Sequence, residues 1–336
     1  MEDRAMRNVK FTVVGYVIVL AAMAGCGGSP FHTSTRPMQQ EQQEPAASLS
    51  DTSQRAKQRG PVACWGDSLT QGNQDFTGVS YPSVLQQRLG VSVYNGGVDG
   101  QTSTQIADRM LAATNLYGDT DVFWAGRNDY KQPFDPESEI LSNIASMVNA
   151  LTSSPKTYLV LSVPNGDGIW DLKGTQDYNR IMALNSALAA AYPHHYLDIR
   201  SYLVSQYDPT QPLDVFDHKN DVWPASLRVH SLMGSLAASV GASNTTIYMN
   251  ATSTAHPIVS TILEVDSELM CITAATAPTS PGGQYAFTVI RGYANTPVSP
   301  HPADVIMIGI DPLHLNANGY TKVAQQVANW LNSHKH

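Results

Sequence analysis

The sequence predicts an α/β protein: a three-layer α/β/α domain on a parallel sheet, with a small all-β domain inserted late in the chain. Three observations predict it. Five short apolar runs alternate with stretches of helical periodicity over residues 60–228, as parallel strands buried on both faces and joined by helices do. Between Arg228 and Asp311 the pattern changes to short apolar runs separated by Pro, Gly and Ser, which reads as antiparallel strands and turns. Helical periodicity then returns for the last segment.

The runs at 62–65, 91–94, 121–124, 158–163 and 196–199 are the expected strands of the parallel sheet. Residues 139–151 place Ile140, Ile144, Met147, Val148 and Leu151 on one side, and residues 178–192 do the same with Ile181, Leu184 and Leu188, the spacing of amphipathic helices. The last helix, about 318–331, carries Val323, Val327, Trp330 and Leu331 at i, i+4, i+7 and i+8. The inserted β-domain is expected at 229–309, with strands at 245–249, 259–265, 268–273, 285–290 and 304–308. The α/β domain is thereby split into 60–228 and 310–336.

Each of the first three strands ends in a polar loop. Gly66-Asp67-Ser68-Leu69 follows the first, Asn95-Gly96-Gly97-Val98-Asp99-Gly100-Gln101-Thr102-Ser103 the second, and Gly126-Arg127-Asn128-Asp129 the third. In an open parallel sheet these ends border one crevice, where ligands bind. Asp311-Pro312-Leu313-His314 precedes the last helix and places an acid three residues before a histidine. A serine hydroxyl is a poor nucleophile until a positioned imidazole removes its proton and a carboxylate stabilises the resulting cation. Ser68, Asp311 and His314 therefore outline a serine hydrolase, although Ser also caps helices and Asn128 could serve a turn. The G-x-S-x-G elbow of α/β-hydrolases is absent. His194, His195, His218, His230, His256 and His301 read as surface or loop residues, and no pair of them has zinc-site spacing. A serine mechanism requires neither metal nor cofactor.

Together the four blocks resemble the SGNH/GDSL hydrolase family, over residues 60–228 and 310–336. The resemblance implies a flavodoxin-like sheet, Ser68 as nucleophile, Asp311 and His314 as acid and base, and an oxyanion hole from the N–H groups of Ser68 and Gly100 with the side-chain amide of Asn128. Arg127 stands where many members have glycine. The family includes carbohydrate O-acetylesterases, lipases, lysophospholipases and thioesterases, so it leaves the substrate open. Within the insert, Asp266-Ser267-Glu268-Leu269-Met270 and Arg291-Gly292-Tyr293 are similar to a β-module of phage virion proteins. The insert is expected over the active-site rim, as a cap, a polymer-binding module or an oligomerisation surface. Tyr248, Tyr285 and Tyr293 are candidate contacts for a polymer, or ordinary packing residues of a small β core, and Trp223 is placed at the junction.

Arg7 and Lys10 precede an apolar stretch at 11–24 that ends in Leu20-Ala21-Ala22-Met23-Ala24-Gly25-Cys26. Spanning a membrane usually takes ~20 apolar residues, so the stretch reads as a secretory signal. The small residues before Cys26 resemble a lipoprotein lipobox, which implies lipidation at Cys26; a plain signal peptide or an uncleaved anchor is the alternative. Residues 26–59 have few large apolar side chains and read as a flexible tether with a reach of about 30 Å. Formal net charge is −8, and removal of Arg4, Arg7, Lys10, Glu2 and Asp3 with the leader leaves −9, which argues against nucleic acid as a partner. Cys64 and Cys271 could pair or pack as small hydrophobes. The expectation is an exported, membrane-anchored lipoprotein, at the outer membrane or cell surface, that hydrolyses acyl esters and acts first on acetyl groups of a glycan. A lipid esterase, or a surface binding lipoprotein using the insert, are the alternatives.

Overall fold

The computed structural model describes residues 60–334 apart from 73–76, 117–119, 132–135, 170, 253–256 and 280–282. The expected signal segment at 1–25, Cys26, the tether at 26–59 and His256 lie outside the described residues. β1 (Val62–Gly66), β2 (Val93–Gly97), β3 (Thr120–Trp124), β4 (Tyr158–Leu161) and β5 (Tyr196–Leu197) form one sheet in the order β2-β1-β3-β4-β5, with every pair parallel. The helices are α1 (Ser68–Gln71), α2 (Tyr81–Leu89), α3 (Ser103–Ala112), α4 (Glu137–Ala150), α5 (Gln176–Ala191), α6 (Ile199–Val204), α7 (Pro212–Lys219) and α8 (Ala317–Ser333).

Successive strand residues serve opposite layers, as the period of two requires. Val62, Cys64, Val122 and Trp124 pack with α2, α6 and α8 through Leu85, Leu203, Val323 and Val327. Ala63, Trp65, Phe123 and Val160 pack with α3, α4 and α5 through Ile106, Ile140, Ile144 and Leu184. This is the three-layer α/β/α arrangement expected from the sequence. Strand order reverses beside β1, so the loops after β1, β2 and β3 meet at a switch point of the sheet.

β2, β4 and β5 differ from expectation at their ends, β4 stopping at Leu161 rather than at 163. β2 begins at Val93 and runs through Gly97, where a Cβ would lie 2.1 Å from the Gln71 nitrogen; glycine is what lets α1 lie on the strand. β5 stops at Leu197 because Asp198 accepts from the Ser201 N–H at 3.0 Å and caps α6. Ile199, expected to end the strand, instead opens that helix.

The late segment forms a closed antiparallel barrel. β6 (Arg228–Leu236), β7 (Thr246–Ala251), β8 (Ile262–Val265), β9 (Glu268–Thr276), β10 (Tyr285–Ile290) and β11 (Ile306–Leu315) follow one another around it as β10-β7-β6-β11-β8-β9. Met233, Ile247, Met249, Leu263, Met270, Phe287 and Met307 fill its interior. Their outward-facing neighbours Ile262, Cys271 and Ile310 pack on Leu213 and Ala225 of the α/β domain. β6 was not expected, since His230, Ser231 and Gly234 break its apolar pattern. β11 is the larger correction. Instead of ending near 308, it continues through Asp311 and His314 to Leu315.

Packing in the β core is the role of Tyr293 and Tyr285, and His301 departs from expectation. Tyr293 is buried at the junction with its ring 5.0 Å from that of Phe216, so it offers no surface to a polymer. Tyr285 stacks on Phe287, and Tyr248 is the exposed one of the three. His301 is no surface residue: it is buried between Asp266 at 2.8 Å and Glu268 at 2.9 Å. Glu268 also takes two hydrogen bonds from Arg291, at 2.7 and 2.8 Å, so the paired motifs of the insert form an internal clamp. Cys64 and Cys271 are free and buried, and burial pushes each thiol up to about 12.

Candidate active site

The turn from β1 into α1 presents Ser68. Asp67 is the N-cap, accepting from the Leu69 N–H at 3.0 Å, so the capping role that Ser68 could have filled belongs to its neighbour. Ser68 Oγ is thereby left to face His314, whose Nε2 lies 2.9 Å away. The other imidazole nitrogen, Nδ1, is 3.1 Å from each carboxylate oxygen of Asp311. Asp311 Oδ1 also accepts from the N–H groups of Leu313 and His314, both at 2.7 Å. An aspartate that bonds its own following backbone builds a tight turn, and here that turn fixes Asp311 and His314 together.

β-sheet register shows how the turn arises. Ile310 of β11 pairs with His230, and Leu315 pairs with Arg228. Four residues of β11, 311–314, therefore oppose the single residue Val229 on β6. The excess bulges out of the ladder and carries Asp311 and His314 toward the loop after β1. Bulges re-aim side chains in this way beside functional sites.

The block-three asparagine is held from two sides. Asn128 Nδ2 donates to Asp67 Oδ2 at 3.3 Å and to the Gln101 carbonyl at 3.1 Å. Its neighbour Asp129 accepts from the N–H of Ser103 at 2.9 Å and from its Oγ at 2.6 Å, which ties the β3 loop to the start of α3. Gly100 lies exposed on the β2 loop with φ of +72°, a left-handed conformation that glycine adopts without steric cost. The four sequence blocks thus meet at one place.

Ser68, Asn128, Asp311 and His314 open into a cavity of about 340 Å³. Its polar side includes Asp99, Arg127, Asp171 and Asp177, and its apolar side Pro312, Leu313, Ile258 and Val259. Arg127 is paired with Asp171, so the departure from glycine builds a salt-bridged wall beside Asn128. Ile258 and Val259 come from the segment between β7 and β8, so the barrel lines the cavity directly. Sequence reading missed these two residues, and also Asp167 and Asp171. Asn165-Gly166-Asp167-Gly168 follows the fourth strand as the other blocks follow the first three, a positional signal that could have found Asp167.

Electrostatics suit a base and its stabilising acid. Burial pulls the His314 imidazole down, but its hydrogen bond to Asp311 and the Asp311 charge, with smaller contributions from Asp67 and Asp99, raise it above its ordinary value. Burial would raise Asp311; the bond and charge of His314 and the two backbone donors hold it below the usual carboxylate range. Asp67 is pushed up to about 6 by burial, opposed by the Leu69 N–H and by the charges of His314 and Arg127. Among the described residues no cluster of His, Cys, Asp and Glu is placed to hold a metal ion.

Among solved structures the chain is similar to a G-D-S-L family protein from Desulfitobacterium hafniense DCB-2, with 24% identity over 43% of this chain and 80% of that one and a TM-score of 0.36. It is similar also to the lipase/acylhydrolase of Enterococcus faecalis, at 18% identity over 46% and 83% with a TM-score of 0.37. A third is the psychrotrophic esterase EstA of a Pseudoalteromonas species, solved with monoethylphosphonate as inhibitor, at 14% identity over 48% and 93% with a TM-score of 0.36. No curated protein matches the chain. The model of the GDSL-like Lipase/Acylhydrolase family matches residues 64–230, which hold Ser68 and the loops after β1, β2 and β3. Residues 64–230 thus match the GDSL-like Lipase/Acylhydrolase family, and the Asp311–His314 turn closes on Ser68 from beyond that match.

Proposed function

We propose that this chain is an exported, lipid-anchored serine esterase that removes short acyl groups, acetyl above all, from a carbohydrate. The observation that carries this reading is the Ser68–His314–Asp311 chain of hydrogen bonds opening into a small cavity with a polar wall. A volume of about 340 Å³ suits a short acyl chain, and the wall of Arg127, Asp171, Asp99 and Asp177 suits the hydroxyls of a sugar. Export and anchoring rest on the leader and on Cys26.

Ser68 Oγ attacks the ester carbonyl while His314 Nε2 takes its proton. The N–H groups of Ser68 and Gly100 and the Asn128 amide receive the oxyanion, for which Asn128 exchanges its longer bond to Asp67. His314 then protonates the departing alcohol, and activates water to release the acyl group from Ser68. Each donor aimed at the oxyanion is typically worth roughly 3–4 kcal/mol of barrier.

A second reading, a short-chain lipid esterase, draws support from Ile258 and Val259, apolar side chains exposed at the cavity rim. Hydrolysis of p-nitrophenyl acetate, butyrate and octanoate, beside acetate release from an acetylated polysaccharide, separates the two. Acetate preference with release from the polysaccharide supports the deacetylase. Octanoate preference moves the assignment to lipid esters.

A further inference from the structure

Three successive carbonyl oxygens of the catalytic turn each receive one donor. Arg228 Nη1 donates to Asp311 O at 3.1 Å, the Asp167 N–H to Pro312 O at 2.7 Å, and Trp223 Nε1 to Leu313 O at 3.1 Å. The strand ladder provides none of these, because pairing between β11 and β6 lapses from Ile310 to Leu315. The bulge is held by two side chains and a loop N–H rather than by the strand ladder, and of these only Arg228 lies on the bulge's own sheet.

Behind two of these donors lies a buried ionic cluster. Arg228 Nη2 bonds Asp167 Oδ2 at 3.0 Å and Asp217 Oδ2 at 2.6 Å, and all three side chains are sealed from solvent. The Tyr293 hydroxyl donates to Asp167 Oδ1 at 2.7 Å. Arg228 Nε and Asp217 Oδ1 have no hydrogen-bond partner among the described residues. Buried ions are costly to desolvate, and well-packed apolar residues often stabilise a fold as well; orphaned polar atoms add to that cost. Stability is a poor reason for such a cluster, whereas fixed position is a good one.

Tyr293 belongs to the barrel, in the turn Tyr293–Asn295 after β10, and Asp167 belongs to the loop after β4 of the parallel sheet. Their bond crosses from one to the other. From Asp167 the path reaches the turn directly through its N–H on Pro312, and through Arg228 on Asp311. We propose that Tyr293, Asp167 and Arg228 form a positioning relay, by which the seating of the barrel on the α/β domain sets the Asp311–His314 turn for catalysis. Tyr293 does not line the cavity and acts only through this relay. The proposal rests on ester hydrolysis through Ser68, which Ser68→Ala tests on its own.

The test is Tyr293→Phe in the full chain, which keeps the ring against Phe216 and removes only the hydroxyl. Phe216→Leu is the comparison, since it loosens the packing on Tyr293 and leaves the Tyr293–Asp167 hydrogen bond in place. Steady-state kinetics on p-nitrophenyl acetate, thermal midpoints, and the low-field proton resonance of the His314–Asp311 hydrogen bond are read for each. For Tyr293→Phe, kcat falls at least about tenfold with KM within about twofold, and the low-field resonance shifts or broadens. Phe216→Leu lowers the thermal midpoint while kcat and the resonance stay as in wild type. Wild-type kcat and resonance in Tyr293→Phe would overturn the relay, as would losses of kcat that follow the thermal midpoint equally in both variants. The resonance does not depend on turnover, so a chain inert on every ester still reports on the relay.

Discussion

His314 Nε2 lies 2.9 Å from Ser68 Oγ although 246 positions separate the two residues. The strands of the barrel lie between them in sequence, from β6 to the bulge of β11 that carries His314. Ser68→Ala is therefore expected to abolish ester hydrolysis, by about 10⁴-fold or more in kcat, with the thermal midpoint unchanged. Burst kinetics with p-nitrophenyl acetate check this. Residual turnover within about tenfold of wild type would sink Ser68 as nucleophile.

In the proposed mechanism the base is neutral His314, and its raised value sets the sign of the pH response. The rate falls as pH drops through the imidazole's titration, with a midpoint above the ordinary 6.5. Asp311→Asn removes the charge that raises it. That variant is expected to lose about 10⁴-fold in kcat, and its remaining activity to keep its plateau to lower pH. A kcat/KM profile for both proteins decides it; an unmoved midpoint would mean that Asp311 does not tune the base.

Asn128 already has its amide oriented by Asp67 and Gln101, as a preorganised oxyanion donor requires. Asn128→Ala is expected to lower kcat about 10²–10³-fold while KM changes little. Gly100→Ala adds strain at positive φ and should lower kcat by a smaller factor. If Asn128→Ala raised KM alone, the residue would be binding substrate in its ground state.

The barrel's contribution to the cavity wall predicts a chain-length effect. Ile258 and Val259 are exposed at the rim, where they can cover methylenes beyond an acetyl group. Replacing both with Ser should weaken octanoate hydrolysis by about tenfold, at about 0.8 kcal/mol per methylene left uncovered, and leave acetate hydrolysis within about twofold. Equal losses on both esters would count against a role in chain-length selection.

Glu268 provides a test of the barrel's own stability. Burial would raise its carboxyl, but Arg291, His301 and the N–H groups of Ser299 and Gly292 bring it down to about 2. A depressed folded value means stabilisation that is complete above the unfolded value of 4.5 and is lost as pH falls through about 2. Glu268→Gln should be less stable at neutral pH and show a flatter stability profile between those limits. Urea unfolding at several pH values measures it, and an unchanged slope would show that the clamp carries no such linkage.

Most of the α/β domain could be read from the chain alone, because its determinants are local. A buried parallel strand must be a short apolar run, and an amphipathic helix must repeat its apolar residues near every third or fourth position. The strands around Cys64, Val122 and Leu159 and the helices around Ile144, Leu184 and Val327 follow from that. Ser68, Asn128 and His314 were visible because each polar block stands immediately after a strand or before a helix. What the sequence could not decide depended on partners far away in the chain. Tyr293 reads as a polymer contact or a packing residue of a small β core until Asp167 and Phe216 are found beside it, and His301 reads as a surface or loop residue until Glu268 is. β6 has too irregular a pattern to be recognised without β7 and β11, since a barrel strand is stabilised by the hydrogen bonds and side chains of its neighbours more than by its own composition. The placement of Asp311 and His314 on a bulge of β11 was likewise settled only by register against Arg228 and His230, because a count of residues on one strand has no meaning until its partner strand is in place.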